Sequence, residues 1–268
     1  MNTPTAIHFT DNYLINPTNP VTVTLIGAGG TGSQLLTALA RMNHALVALG
    51  HAGLQVSLYD DDMVTEANLG RQLFADAELG QYKAVALINR SNRFFGTNWK
   101  AVTKRFTKDM LHRSPVNGKA NIYISCVDTA AARFDIAEAL QMIDRNTSRY
   151  EHNKAFYWMD FGNNRHTGQV ILSTVGEVKQ PASKRYRTVS FLPMVTEEFK
   201  DLLQGEADNN EPSCSLAEAL QKQDLFINST LASMGTSLLW NLFREGMTEN
   251  RGFFLNLKDF RAQPLKVA

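Results

Sequence analysis

The apolar positions of this chain fall into runs that alternate between two periods. After a polar leader containing Pro17 and Pro20, Val21–Ile26 reads VTVTLI, β-branched and apolar, the pattern of a parallel strand buried on both faces. It runs directly into a turn with Gly27, Gly29, Gly30 and Gly32. From there apolar residues return at Leu35, Leu39, Met42, Leu46 and Leu49, a helical spacing that stops at Gly50 and Gly53. A second strand over residues 55–59 ends in Asp60-Asp61-Asp62. Strand, glycine turn, helix and strand form a crossover, which predicts two parallel neighbours with the loop at their carboxyl edge.

Downstream, the same patterns predict a helix over 78–95, strands over 102–106 and 121–127, and a helix over 129–142. Residues 156–161 and 168–174 are strand-like and joined by the turn-rich Gly162-Asn-Asn-Arg-His-Thr167, a hairpin rather than a crossover, so the sheet is expected to be mixed. The polar stretch 175–212 contains Pro181, a basic group at Lys184, Arg185 and Arg187, and acidic residues at its end. It reads as an irregular, mobile excursion. Regular patterning returns with helices over 216–223 and 228–243 and closing strands around 253–257.

With 268 residues and 44% hydrophobic content, the chain can bury a full core in one large domain or two small ones. Twenty-seven basic against 26 acidic residues leave a formal charge of +1, so no global field draws it to nucleic acid or to an anionic membrane. No apolar stretch approaches the ~18 residues of a membrane span, and the first basic residue is Arg41, which argues against a signal peptide. Two distant cysteines, Cys126 and Cys214, make a disulfide framework or paired-cysteine zinc site unexpected and fit a cytoplasmic location.

Four motifs carry chemistry. The GxGxxG of Gly27, Gly29 and Gly32, with Gly30 between, would let the backbone approach a ligand at a helix N-terminus, and it would serve NAD, FAD or ATP equally. Asp60, at the end of the second strand, stands where a ribose-binding acid is expected. The second motif continues from it through Asp62 and on to Asn68, Arg71, Gln72 and Lys83. A dinucleotide dehydrogenase has no need of these cations. A triphosphate tail does, because Arg can clamp it bidentately and Lys can neutralise it. The third is Ser125-Cys126-Val127-Asp128, where Asp128 is either a carboxylate aimed into the crevice, able to hold Mg²⁺, or a helix N-cap. Cys126, on the strand itself, reads as a small buried hydrophobe. The fourth is Cys214 just ahead of the capping box Ser215-x-x-Glu218, a setting that favours thiolate but also suits an incidental loop thiol.

The pattern D-x-D-x-V, then N-L-x-R-Q and G-x-x-K-A, resembles the adenylating core of the ThiF, MoeB and ubiquitin-activating enzyme family over about residues 21–174. The resemblance implies an α/β fold, a Rossmann-like doubly wound mixed sheet, forming a single adenylation domain over 1–268 with a flexible excursion 175–213 leading to Cys214. It implies ATP and Mg²⁺, a ubiquitin-like protein substrate, a conjugating-enzyme-like partner and a homodimer. In that reading Gly27, Gly29, Gly30 and Gly32 cradle the phosphates, Asp60 or Asp62 holds the ribose, and Asn68 orients the tail. Arg71 and Lys83 meet the charge of the leaving phosphates, Asp128 holds Mg²⁺, and Cys214 receives the acyl group as a thioester. Asp160-Phe-Gly162 and Gly168-Gln-Val170 also resemble the family's segment beside its polypeptide substrate, although glycines at strand turns need no functional reason.

Two departures matter. Residues 1–40 contain no Arg or Lys to match the basic residue that family members often carry before the first strand, so another residue or a partner would supply it. The zinc-binding cysteine pairs of the cofactor-biosynthesis members are also missing. Length and the run Pro212-Ser-Cys214-Ser-Leu-Ala-Glu218 look like the ThiF-type protein of PRTRC cassettes. The competing readings are an NAD-dependent oxidoreductase, and an inactive scaffold that binds ATP or a ubiquitin-like protein.

Overall fold

A computed structural model of the chain describes residues 4–113, 118–146, 154–205 and 223–268. The expected crossover is present: β2 (Val21–Ile26) leads through the glycine turn into α2 (Gly30–Ala48) and returns as β3 (Leu54–Tyr59), parallel to β2 with Ile26 opposite Tyr59. Ahead of it the apparent leader is itself structured. Strand β1 (Ala6–Phe9) and helix α1 (Asn12–Ile15) bury Ile7, His8 and Leu14, contacts that four-residue elements cannot announce by periodicity.

After β3 the chain continues through α3 (Lys83–Phe95), β4 (Lys100–Val102), α4 (Lys108–Arg113), β5 (Ile122–Ser125) and α5 (Ala130–Asn146) to the hairpin β6 (Tyr157–Asn163) and β7 (Thr167–Thr174). Then come β8 (Arg187–Thr188), α6 (Val195–Glu198), α7 (Lys200–Gly205), α8 (Ile227–Glu245), β9 (Met247–Thr248), β10 (Asn250–Asn256) and β11 (Arg261–Lys266). Among the described residues, eight strands form one sheet in the order β11-β10-β7-β6-β5-β2-β3-β4. The half from β6 to β4 is parallel and the half from β6 to β11 antiparallel, the mixed sheet expected from the hairpin. Strands β8, β1 and β9 make a small second sheet.

Two apolar layers sandwich the main sheet. One packs α2, α3 and α8 against Val23, Leu25, Val56, Leu58 and Ile124. The other packs α5 against Tyr123, Trp158 and Ile171.

Several boundaries differ from expectation. The helix expected at 78 begins at Lys83, because Gly80 takes a left-handed φ of 78° and the chain folds back, Val64 N–H donating to Gln81 O and Lys83 N–H to Asp62 O. Strand β4 ends at Val102, where an extended 102–106 was expected, and Phe106 instead packs into the second layer. Of the stretch 175–212, residues 175–205 lie against the core through Val178, Leu192, Met194 and Leu203. The remainder, with residues 216–222 of the helix expected at 216–223, lies outside the described residues. Strand β11 contains Pro264, which interrupts a strand pattern in sequence but is tolerated on the sheet's edge. No helix among the described residues is long and apolar enough to cross a membrane.

Candidate functional site

The strand order reverses between β2 and β5: the chain steps outward from β2 to β3 and β4 on one side and from β5 to β6 on the other. A crevice forms at the carboxyl ends of such strands, since the two following loops part in opposite directions. Gly27 extends the ladder past β2 by donating to Tyr59 O at 2.9 Å, and Cys126 extends it past β5 by donating to Ile26 O at 2.8 Å.

The four glycines divide their work. Gly27 has φ 95°, and a Cβ there would lie 2.7 Å from the Cys126 carbonyl oxygen. A Cβ on Gly32 would collide with the Gly27 carbonyl, and one on Gly30 would come within 2.5 Å of Asn228 Nδ2 at the start of α8. These three are therefore glycine so that the loop can pack against β5, itself and α8. Gly29, the N-cap of α2, has nothing within 4 Å of a Cβ position, so it is the glycine beside which a ligand can approach the amides at the helix N-terminus.

Asp60 holds this loop from β3. Its Oδ2 accepts the Ala28 N–H at 2.6 Å and its Oδ1 the Asp62 N–H at 2.9 Å. Burial pushes the Asp60 carboxyl above the usual carboxylate range, opposed by the Ala28 N–H and the Lys83 charge. Asp62, more exposed, pairs with Lys83 Nζ at 2.8 Å, and Lys83 is buried at the start of α3. The fold-back that shortens this helix is what sets the lysine beside the acid.

Asn68 is buried, and its Oδ1 accepts both the N–H and the hydroxyl of Thr65, closing a capping box on a single 3₁₀ turn over Glu66–Asn68. That turn sets the path to Arg71. Arg71 Nη1 donates to Gln223 Oε1 at 2.7 Å, and burial pulls its guanidinium below its ordinary value. Ser33 in the first turn of α2 accepts the Leu73 N–H at 3.2 Å, tying this segment back to the glycine loop.

Asp128 is exposed in the turn between β5 and α5. The turn is braced from beneath by Arg133 and Asp160, both buried. Arg133 Nε donates to Asp160 Oδ2 at 3.0 Å, while its other nitrogens donate to the carbonyls of Val127 at 2.8 Å, Thr129 at 3.3 Å and Phe161 at 3.2 Å. Ser125 donates to Asp160 Oδ1 at 2.6 Å and accepts from Trp158 Nε1 at 2.8 Å. The sequence reading passed over this pair. An acid set among Trp158, Met159 and Phe161 in a buried strand is itself a signal, because such a charge requires a partner.

Cys126 is an inert neighbour whose thiol is pushed well up by burial. Cys214 lies outside the described residues. Among the described residues no three His, Cys, Asp or Glu side chains gather to hold a metal ion. Magnesium generally takes one or two carboxylates and completes its shell with phosphate oxygens and water, so a single acid at the crevice mouth is a donor set of the right kind.

The ThiF family profile matches residues 17–266. Among curated proteins no sequence matches the chain. Among solved structures, PaaA superposes with a TM-score of 0.60 at 16% identity, over 92% of this chain and 64% of its own. E. coli MccB, solved with ATP, superposes with a TM-score of 0.57 at 14% identity, over 94% of this chain and 64% of its own. E. coli MccB has also been solved with MccA, at a TM-score of 0.57 and 14% identity, over 92% and 64% of the two chains. The chain spans less than two thirds of the length of these structures, and the likeness is one of fold.

Proposed function

The chain belongs to the ThiF family, and we propose that it is an adenylyltransferase that activates a substrate carboxylate with ATP. The observation that carries this reading is that the N-terminus of α2 is tied to Arg71 through Thr31, Asn228 and Gln223, and to Lys83 through Ala28, Asp60 and Asp62, at the carboxyl end of β2, with Asp128 in the turn after the neighbouring β5. Family membership and the likeness in fold to MccB, a protein solved with ATP, support the nucleotide.

In this reading the substrate carboxylate attacks the α-phosphate. A carboxyl oxygen to phosphorus bond forms, the bond from the α-phosphorus to its bridging oxygen breaks, and the electron pair leaves with pyrophosphate. A carboxylate needs no base, so the protein's task is alignment and stabilisation of charge moving onto the leaving group. The N–H groups beside Gly29 and the cations of Arg71 and Lys83 meet that charge. Asp60 fixes the loop through Ala28, with Asp62 or Asp60 reaching the ribose and Asn68 setting the approach of the Arg71 segment. Mg²⁺, held by Asp128 with phosphate oxygens, would neutralise further charge.

The finer reading is that the chain is a ThiF-type protein of the PRTRC kind and that the carboxylate is the C-terminus of a ubiquitin-like protein. Cys214 then takes the acyl group as a thioester with release of AMP, for transfer to a conjugating-enzyme-like partner, and the chain works as a homodimer in the cytoplasm. Another basic residue, or a partner, would stand in for the one missing from residues 1–40. ATP–pyrophosphate exchange with a glycine-ended β-grasp protein is the test. Exchange is expected in the wild type and in Cys214→Ala, and is lost in Asp128→Ala. Nicotinamide binding without exchange from any such partner would overturn the reading.

A further inference from the structure

Gln223 stands just ahead of α8, and its side-chain oxygen accepts two hydrogen bonds, from Arg71 Nη1 at 2.7 Å and from Asn228 Nδ2 at 3.0 Å. Asn228 is buried, and its Oδ1 accepts the Thr31 hydroxyl at 2.9 Å in the first turn of α2. Its Nδ2 also lies 2.5 Å from where a Cβ on Gly30 would stand. Arg71, Gln223, Asn228 and Thr31 thus form one relay from the arginine to the glycine loop, assembled from three segments far apart in sequence.

The state of Arg71 within this relay is unusual. Its Nε is buried with no acceptor, and among the described residues no carboxylate pairs with it. A neutral amide oxygen therefore holds one corner of a half-buried guanidinium that no carboxylate among the described residues pairs with. A partly desolvated cation is stabilised by an ionic partner, so a guanidinium held by a neutral amide, with its Nε buried and unbonded, is set for an anion from outside the protein.

We propose that Gln223 is a positioning residue for Arg71: it fixes the guanidinium in the crevice without cancelling its charge, reserving that charge for the polyphosphate of a nucleotide. This rests on the nucleotide site proposed above. A carboxylate at position 223 would add direct charge–charge attraction to the hydrogen bond, grip Arg71 more tightly and compete with phosphate for it. An alkyl group would leave the guanidinium to be ordered only when the nucleotide arrives.

The distinguishing comparison is Gln223→Glu, which nearly preserves shape, against Gln223→Ala, which does not. Binding of Mg·ATP and of AMP to the full chain, measured by calorimetry beside urea denaturation, separates charge from packing. Gln223→Glu is expected to weaken Mg·ATP by roughly tenfold or more and AMP much less, and Gln223→Ala to weaken Mg·ATP by roughly threefold. Stability should follow the opposite order, with Ala the more damaging. In an Arg71→Ala background, neither change should affect Mg·ATP further. Unchanged Mg·ATP affinity in Gln223→Glu, or equal weakening of AMP and ATP by both variants, overturns the positioning role alone. A wild-type chain that binds no Mg·ATP overturns the nucleotide site and the positioning role together.

Discussion

Asp160 and Arg133 allow the sharpest test of how the crevice is held. Removing the acid by Asp160→Asn takes away the ionic partner that Arg133 Nε meets at 3.0 Å, in a guanidinium that is 5% exposed and also donates to the carbonyls of Val127, Thr129 and Phe161. Breaking one side of a buried pair costs about 3–5 kcal/mol, because the remaining charge keeps its desolvation penalty and loses its compensation. Against a typical domain stability of about 5–15 kcal/mol this is a large fraction. With a urea slope of about 3 kcal/mol/M, the unfolding midpoint should fall by about 1–1.7 M. Replacing both residues, Asp160→Asn with Arg133→Met, should cost clearly less than the two single changes summed, since no charge is then left buried. The same loss should weaken Mg·ATP binding, because Arg133 grips the carbonyls of Val127 and Thr129 on either side of Asp128. Urea titrations of the four proteins of this cycle, with and without nucleotide, decide the matter. A midpoint shift below about 0.3 M for Asp160→Asn, or a coupling below about 0.5 kcal/mol, would refute the reasoning.

Three further outcomes are expected. Gly29→Ala, which meets nothing within 4 Å, should leave the urea midpoint unchanged while lowering nucleotide affinity, whereas Gly30→Ala, facing Asn228 Nδ2 at 2.5 Å, should lower both; equal midpoints for the two would contradict the division of the glycines. Lys83→Met should keep stability within about 1 kcal/mol, the methionine filling much of the lysine's volume, yet slow pyrophosphate exchange by about 10²-fold or more. His8 is buried, bonded at Nδ1 to Val189 O at 2.7 Å and at Nε2 to Tyr157 Oη at 2.8 Å, and burial holds its pKa below 6.5. Below that value the unfolded chain takes up a proton that the folded chain refuses, so stability present above pH 6.5 is lost as the pH falls through it, and the lead of the wild type over His8→Gln in urea midpoint should shrink from pH 7.5 to pH 5.

Much of the frame was legible because it rests on short-range pattern. VTVTLI reads as a doubly buried strand, and the turn that follows admits few alternatives to a crossover helix, so the parallel pairing of β2 with β3 and the loop at their carboxyl edge followed directly. The boundaries that moved did so for tertiary reasons. Gly80 turns the chain back on residues 62–64 and delays α3 to Lys83. Strand β1 exists through its pairing with β8 and β9, segments more than 170 residues away. What sequence reasoning could not reach was pairing between side chains. Asp160 looked like part of a hairpin because its partner Arg133 lies on the preceding helix. Gln223 gave no signal at all, since a lone glutamine ahead of a helix is unremarkable until Arg71 is seen against it.

The glycine loop shows the same limit from the other side. Its fingerprint suggests that all four glycines serve a ligand, yet three are dictated by the protein's own packing against Cys126, Gly27 and Asn228. The loop's conformation therefore depends on β5 and α8 as much as on the turn itself. A nucleotide bound beside Gly29 would sense α8 through Asn228 and Thr31, and the Arg71 segment through Ser33 and Gln223. The cations and the amides beside Gly29 are thus parts of one hydrogen-bonded body, so their contributions to nucleotide affinity should prove non-additive. Substitutions at Gly30, Asn228 and Gln223 should each erase much of the advantage that the others supply.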